Sequence, residues 1–345
     1  MQRRSFLAGT AALAAASLGA SPLAFAQQNK LETKKVAIAV GGKNLFYYLP
    51  LTIAERRGFF KDEGLEVEIS DFAGGSQALK AAVGGSADVV SGAFEHTILL
   101  QAQHQMFREF VLQGRAPQIV LAVSKKSMPN FKGVADLKGK KIGVTAPGSS
   151  TSIMASFVLA KAGLKPADVA FIGVGAGAGA IAALQSGQID ALANLDPVMT
   201  KLDRAGDIRV VADTRTLADT HSVFGGDMPA GCLYASESFI TKNPNTTQAL
   251  TTAMVRALKW LQGATGSQLI DTVPESYLLG DRALYLAAWD HVKEALSPDG
   301  LMPAGGPATA LKTLQFDPNI KGKPIDLSKT WTNDFVKKSL ATVKS

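Results

Sequence analysis

The chain has 345 residues, a formal net charge of +7 and one cysteine. Its basic residues are scattered rather than gathered into a stripe, which argues against a nucleic-acid-binding protein. The lone Cys232 excludes an internal disulfide, and the length suffices for two domains that each have a core.

The first 26 residues have the pattern of an export signal. Arg3 and Arg4 provide a positive start, an apolar Ala-rich run follows, and Ala24-Phe25-Ala26 resembles a cleavage site. The apolar run is shorter than the roughly 20 residues that a membrane span needs. Because the start also partly matches a twin-arginine signal, we expect export to the periplasm by either the Sec or the twin-arginine route.

Beyond the signal, short apolar runs rich in Val and Ile alternate with helical stretches, which predicts an α/β fold with mostly parallel strands. The predicted strands are Val36–Val40, Val67–Ile69, Val89-Val90, Ile119–Val123, Ile142–Val144, Val169–Val174 and Ala191–Leu195. The predicted helices are Gln77–Val83, Ser152–Ala162, Ala180–Ser186, Thr246–Gln262, Gly266–Val273, Asp281–Ala295 and Trp331–Val343, with a loop at Pro303–Pro307.

Two stretches of this pattern, residues 35–97 and 140–197, repeat each other. Gly64-Leu65 corresponds to Gly163-Leu164, and the Gly85-x-x-Asp88 spacing recurs as Gly187-x-x-Asp190. The offset is about 100 residues, the size of a small domain. The repeat therefore predicts two similar lobes with a ligand site between them.

Two segments, residues 117–126 and 223–236, have the character of connections between the lobes. We predict that residues 27–120 and 228–345 form lobe one, that residues 121–227 form lobe two, and that the two crossing strands form a hinge. The C-terminal helices are expected to return to lobe one.

In open α/β sheets, ligands bind beyond the carboxyl ends of strands, near helix N-termini. The repeat locates these turns twice. Lobe one offers Asn44, Phe46 and Tyr47 after its first strand, and lobe two offers Ser149, Ser150 and Thr151 after its own. Hydroxyls and free N–H groups at a helix start suit an oxyanion, although the same residues can simply cap the helix.

Two further turns supply the other candidate ligand contacts. Ser76 and Gln77 begin the next helix of lobe one. Phe94 and Glu95 follow its third strand, and Asp196 has the equivalent position in lobe two. A phenyl ring can stack on a flat ligand or pack in the core. The two carboxylates can accept hydrogen bonds from a ligand or cap the following turn, and both possibilities stay open.

The sequence offers little for catalysis. The four histidines have no metal-ligand spacing, and no nucleophile elbow is present. Gly175–Ala180 fits a dinucleotide-binding fingerprint, so a twin-arginine-exported nicotinamide-dependent oxidoreductase is the alternative hypothesis. The first copy lacks the fingerprint at the matching turn, so we expect no cofactor and no enzyme activity.

The segments AERRGFFKDEGLEVEI, GGSQALKAAVGGSADV, DLKGKKIGVTAPGSS, KAGLKPADV and ALQSGQIDALANLDP together resemble the periplasmic solute-binding proteins of ABC importers. The similar group handles sulfonates, taurine, nitrate, bicarbonate or thiamine-precursor pyrimidines. The cysteine-rich signature of its pyrimidine-synthesising members is absent here.

The resemblance implies the type II periplasmic binding protein fold, with two α/β lobes that close over a small molecule. It also implies an inner-membrane ABC permease as partner. We expect the protein to be a monomer. The aromatic residues near the predicted cleft favour an organic anion such as a sulfonate or carboxylate, while nitrate and pyrimidines stay open.

Overall fold

The computed structural model describes residues 30–317 and 320–343. The predicted signal, residues 1–26, lies outside the described residues. In the described part, no helix is both long enough and apolar enough to cross a membrane.

Ten strands form in this part of the chain. They are β1 (Lys35–Gly41), β2 (Glu66–Phe72), β3 (Val89–Ala93), β4 (Phe107–Leu112), β5 (Val120–Ser124), β6 (Lys141–Val144), β7 (Ala170–Gly173), β8 (Ala191–Asn194), β9 (Ile208–Asp213) and β10 (Gly231–Ser236). They build two five-stranded sheets, β2-β1-β3-β10-β4 and β7-β6-β8-β5-β9. All seven predicted strands are present, and β10 lies within the predicted connection at residues 223–236. Strands β4 and β9 were not predicted.

The two sheets follow the same plan. In the first sheet β1 pairs in parallel with β2 and β3, and β10 runs antiparallel between β3 and β4. In the second sheet β6 pairs in parallel with β7 and β8, and β5 runs antiparallel between β8 and β9. The mostly parallel α/β class predicted from the sequence is confirmed.

Fourteen α-helices cover the sheets in the described residues. They are α1 (Leu49–Arg56), α2 (Phe59–Asp62), α3 (Gly75–Val83), α4 (Glu95–Gln101), α5 (Ser150–Lys161), α6 (Ala178–Ser186), α7 (Val198–Arg204), α8 (Leu217–Phe224), α9 (Glu237–Lys242), α10 (Pro244–Gly263), α11 (Gly266–Thr272), α12 (Arg282–Val292), α13 (Gly306–Leu314) and α14 (Asp334–Thr342). The predicted loop at Pro303–Pro307 is wrong at its end, because α13 begins at Gly306. Pro307 fits there because proline is tolerated in the first turn of a helix.

The central strands are apolar because both of their faces are covered. Every residue of β3 and of β8 is buried, as expected for strands with helices on both sides. The repeated aspartates anchor these strands identically. Asp88 accepts a hydrogen bond from the main-chain N–H of Ala37 at 2.8 Å, and Asp190 accepts one from Lys141 at 2.9 Å.

The chain passes from the first sheet to the second between β4 and β5, and returns between β9 and β10. After β10 the long helix α10 packs against α1, α2 and α14 on the first sheet. Helix α13 contacts α4, which follows a strand of the first sheet, and α5, which follows a strand of the second. The assignment of the whole tail to lobe one stays a prediction.

Candidate functional site

The loops at the carboxyl ends of the two sheets face each other and touch. We call this junction the cleft; it lies between the turns at Asn44, Ser76 and Glu95 on one side and those at Ser149 and Asp196 on the other. In the closed arrangement seen here, Asn44, Ser76 and Ser149 join the two sides.

Hydrogen bonds cross the cleft from side chains that the sequence analysis predicted for the site. Ser76 Oγ donates to the carbonyl of Pro147 at 2.8 Å, and Ser149 Oγ accepts from the main-chain N–H of Ser76 at 3.0 Å. Asn44 Nδ2 donates to the carbonyl of Ala176 at 2.9 Å. In this closed form Asn44, Ser76 and Ser149 therefore act between the lobes.

Two glycines allow this close approach. A Cβ atom on Gly74 would lie 2.8 Å from the Cβ of Ala146, and one on Gly42 would lie 2.7 Å from the Cβ of Ala176. Real side-chain carbons do not come this close, so the glycines are required where the loops meet, quite apart from their role as turn formers. The approach of Gly42 to Ala176 brings lobe one against the Gly175–Ala180 turn. No observation on the described residues favours a dinucleotide at this turn.

Behind these contacts lies a small enclosed space, which we call the inner cavity. Its volume is about 10 Å³, and Glu95 and Ser150 provide its polar lining together with Thr313. That volume accommodates about one water molecule. The walls are otherwise apolar, and include Ile119, Met154, Phe157, Phe224 and Met228.

Two neighbouring spaces adjoin the inner cavity through shared residues. An outer cavity of about 270 Å³ shares Ile153, Phe157 and Thr313 with it and is bounded by Phe316. A second space of about 10 Å³ shares Ser150 and is lined by Tyr47. A larger depression of about 740 Å³ borders the N-terminal ends of β1, β2 and β3, at the end of the sheet remote from the cleft.

Glu95 is the most unusual group in the cleft. It is 4% exposed, and among the described residues no other side chain or main-chain group is recorded as its hydrogen-bond or ion-pair partner. Burial raises its pKa to about 7, although its own main-chain N–H acts in the opposite direction. A carboxyl group in this setting is available to a ligand.

Asp196, at the equivalent turn of the second sheet, is fully engaged. Its Oδ1 accepts from the main-chain N–H of Thr200 at 2.7 Å and so caps the first turn of α7. Its Oδ2 lies 3.4 Å from Arg215, which also pairs with Asp213 at 2.6 Å. Burial raises the pKa of Asp196, and Arg215 opposes this effect. Of the two predicted roles, the structure shows the structural one for this residue.

The N-terminus of α5 borders the same space through Ser150. The main-chain N–H groups of Ser150 and Thr151 have no hydrogen-bond acceptor among the described residues. The Thr151 hydroxyl is held by Thr145, at 3.0 Å from its hydroxyl, while Ser150 Oγ has no recorded partner there. The hydroxyl of Ser149 does not cap α5, because it bonds across the cleft instead.

The structure places the remaining predicted residues away from the inner cavity. Phe46 packs against Tyr285 with ring centroids 4.5 Å apart, and Phe94 is fully buried in the core. Gln77 is exposed on α3. Their contact with a ligand stays a prediction from the sequence, with no supporting geometry in this closed form.

The sequence assigned no role to one further residue near the cleft. His96 is fully buried, with its Nδ1 3.1 Å from the Tyr234 hydroxyl. Burial lowers its pKa to about 4, although the main chain of Gly148 acts in the opposite direction, so the ring is neutral at pH 7. Its Cε1 lies beneath the turn at Gly75. No cluster of potential metal ligands occurs among the described residues.

Two sheets of this topology, joined by two crossings and facing each other across a cleft, define a two-lobed periplasmic binding protein fold. The alkanesulfonate-binding protein SsuA of Xanthomonas axonopodis pv. citri, solved with bound MOPS, has this fold. It aligns with a TM-score of 0.66 at 22% identity, over 88% of this chain and all of that one.

The family model of the NMT1-like family matches residues 30–270, and the chain belongs to this family. A solved protein of Bordetella bronchiseptica RB50 is 62% identical, with a TM-score of 0.89 over 90% of this chain and 98% of that chain. A Bacillus subtilis (strain 168) relative named as a binding protein, YtlA, is 25% identical over 289 residues, which is 81% of this chain and 82% of its own.

Proposed function

We propose that this protein is the exported, periplasmic solute-binding component of an ABC importer. The observation that supports this most directly is the closed cleft between two similar sheets, with an inner cavity that holds unpaired polar groups. In this proposal the protein is a monomer, catalyses no reaction, and delivers a small molecule to an inner-membrane permease.

The ligand we propose is a small organic anion, such as a sulfonate or a carboxylate. Its acid group binds at the N-terminus of α5, where the N–H groups of Ser150 and Thr151 and the hydroxyl of Ser150 are unpaired. The positive end of the helix dipole adds to this attraction. The apolar walls of the inner and outer cavities favour an organic body over bare nitrate.

Capture requires the lobes to separate, because the inner cavity is enclosed by the contacts across the cleft. We propose that Asn44, Ser76 and Ser149 act as a latch, since their hydrogen bonds form only when the lobes are together. Hinge closure around a ligand is the usual motion of such proteins, and the closed form is then the one that docks on the permease.

Isothermal titration calorimetry and thermal shift with alkanesulfonates, carboxylates, nitrate and pyrimidines test this function. We expect binding of at least one organic anion. Ser150→Ala should weaken it by about 1 kcal/mol, the usual effect of losing one hydrogen bond to a charged or polar acceptor. Ser86→Ala, on an exposed surface, is the matched control. If no member of the panel binds, the proposed ligand class is wrong.

A further inference from the structure

The acid group of the proposed ligand accounts for the donors at α5, but it leaves Glu95 unexplained. Glu95 lines the same inner cavity as Ser150, is almost completely buried, and has no partner from another residue in the described part of the chain. A buried carboxyl group without a partner costs several kcal/mol when it ionises, unless a positive or hydrogen-bond-donating group meets it.

The described residues provide no positive group around the cavities. Neither the inner cavity, the outer cavity nor the space beside Tyr47 is lined by a Lys or Arg side chain among the described residues. The guanidinium of Arg215 is engaged by Asp196 and Asp213. Lys43, which neighbours the cleft in sequence, pairs with Glu55 at 2.6 Å. Glu109 is also buried without a partner, but it borders none of these three spaces, whereas Glu95 does. A cation from outside the chain can therefore reach Glu95.

We propose that Glu95 binds an amino group of the ligand, so that the ligand is a small zwitterion with its acid group on α5 and its ammonium group on Glu95. This inference rests on the proposed function. It adds a second charged group to the ligand and gives Glu95 the role of its specificity-determining partner.

The size of the inner cavity restricts the ligand further. Glu95 and Ser150 border the same small space, so the groups that they bind must be close together. The closed form leaves room there for only about one water molecule, so the lobes must lie further apart in the ligand-bound form. An acid and an amino group on the same carbon or on adjacent carbons satisfy this restriction, as in an α- or β-amino acid or a 2-aminoalkanesulfonate.

The outer cavity accommodates the rest of such a ligand. It continues from the inner cavity past Ile153 and Phe157, and its wall is mostly apolar, with Ser152, Ser156 and Asp317 as polar members. Its volume of about 270 Å³ is near the lower limit for small-molecule pockets, about 300 Å³. We therefore expect an apolar substituent on the zwitterion, in contact with α5 and α13.

The test compares matched ligand pairs by calorimetry on the intact exported protein. Each pair consists of an amino acid or 2-aminoalkanesulfonate and the same acid with hydrogen in place of the amino group. We expect the zwitterion of the best pair to bind at least tenfold more tightly than its partner without nitrogen, and the corresponding amine without the acid group not to bind.

Two variants assign the preference to Glu95. Glu95→Gln should remove most of the tenfold preference, and Glu95→Asp, which keeps the charge but shortens the side chain, should keep part of it. Glu66→Gln makes the same change on an exposed strand position and should leave the preference intact. If Glu95→Gln does not fold, the ligand pairs on the wild type together with Glu95→Asp still decide.

The outcomes separate this inference from the proposed function. Equal binding of both members of every pair, or a preference that survives Glu95→Gln, would overturn the role of Glu95 while leaving anion capture intact. Binding of neither member of any pair, with no response to the wider anion panel, would overturn both.

Discussion

Glu95 and Asp196 occupy equivalent turns, after the third strand in the order of each sheet, yet their surroundings differ completely. Asp196 caps α7 through Thr200 and pairs with Arg215, whereas Glu95 is buried beside a cavity without a partner from another described residue. The repeated fold supplies the carboxylate position, and the neighbouring side chains decide whether it is structural or free for a ligand.

The aspartates just before β3 and β8, Asp88 and Asp190, have the same role in both sheets. Asp88 and Asp190 each receive one main-chain N–H from the first parallel strand of their own sheet, at nearly the same distance. The scaffold is thus shared between the lobes, and the difference between Glu95 and Asp196 is confined to the cleft.

The largest expected effect comes from removing the engaged carboxylate. Asp196→Ala takes away the cap of α7 and leaves Arg215 with only Asp213. Breaking a buried ion pair from one side costs about 4 kcal/mol. We expect the free energy of unfolding, measured by denaturant titration, to fall by about this amount. Asp196→Asn, which retains the capping oxygen, should lose less; equal losses would contradict the capping role.

Replacing Glu95 should have the opposite effect and should stabilise the ligand-free protein at high pH. The pKa of Glu95 is raised from 4.5 to about 7 by burial, so its stabilising contribution is complete below about pH 4.5 and is lost as the pH rises through about 7. At 1.36 kcal/mol per pKa unit, Glu95→Gln should stabilise the protein by up to about 3 kcal/mol at pH 9 relative to the wild type.

The measurement for Glu95 is the free energy of unfolding of variant and wild type from pH 4 to pH 9. Glu66→Gln provides the control for a change on the surface. A difference between Glu95→Gln and the wild type that does not depend on pH would show that the carboxyl group is not desolvated as the structure indicates.

The shared scaffold gives a smaller and symmetrical effect. Asp88→Ala and Asp190→Ala each remove one hydrogen bond from a main-chain N–H to a carboxylate, worth about 1.5 kcal/mol. We expect the two losses of stability to agree within error in thermal or chemical denaturation. A large disparity would mean that the two lobes are less alike than their hydrogen bonds suggest.

The smallest expected effect concerns the latch. Ser76→Ala removes the hydroxyl that donates to Pro147 and accepts from the Ser149 hydroxyl across the cleft. Losing even one net hydrogen bond of about 1 kcal/mol shifts the balance between closed and open forms about fivefold, with little effect on unfolding. Small-angle scattering should show a larger radius of gyration for this variant than for Ser86→Ala; an identical radius would exclude a latch role for Ser76.

The sequence predicted the repeated elements well, because they follow local patterns. The apolar runs of β1, β3 and β8 and the glycine–aspartate spacings locate the parallel strands of both sheets. Strand β4 was missed because Arg108 and Glu109 interrupt its apolar pattern, although Glu109 is fully buried. Helix α13 was missed because its Gly-Pro start is also typical of a loop.

The site was less predictable, because its chemistry depends on partners distant in sequence. Nothing near Asp196 indicates that Arg215, 19 residues further on, neutralises it. Equally, only the fold shows that Ser149 bonds to Ser76, which is 73 residues away in sequence, rather than capping its own helix. The turns were located correctly by the repeat, but the division between latch, structural pair and free group required the tertiary contacts.

The position of β10 has a consequence for synthesis of the chain. All strands of the second sheet lie between residues 120 and 213, so that sheet can form as soon as this segment is made. The first sheet cannot, because β10 fits between β3 and β4 and is made more than a hundred residues later. Until then two strand edges stay open to wrong partners. Cys232, buried within β10, reports the final insertion, since its thiol becomes inaccessible to labelling only when the sheet is complete.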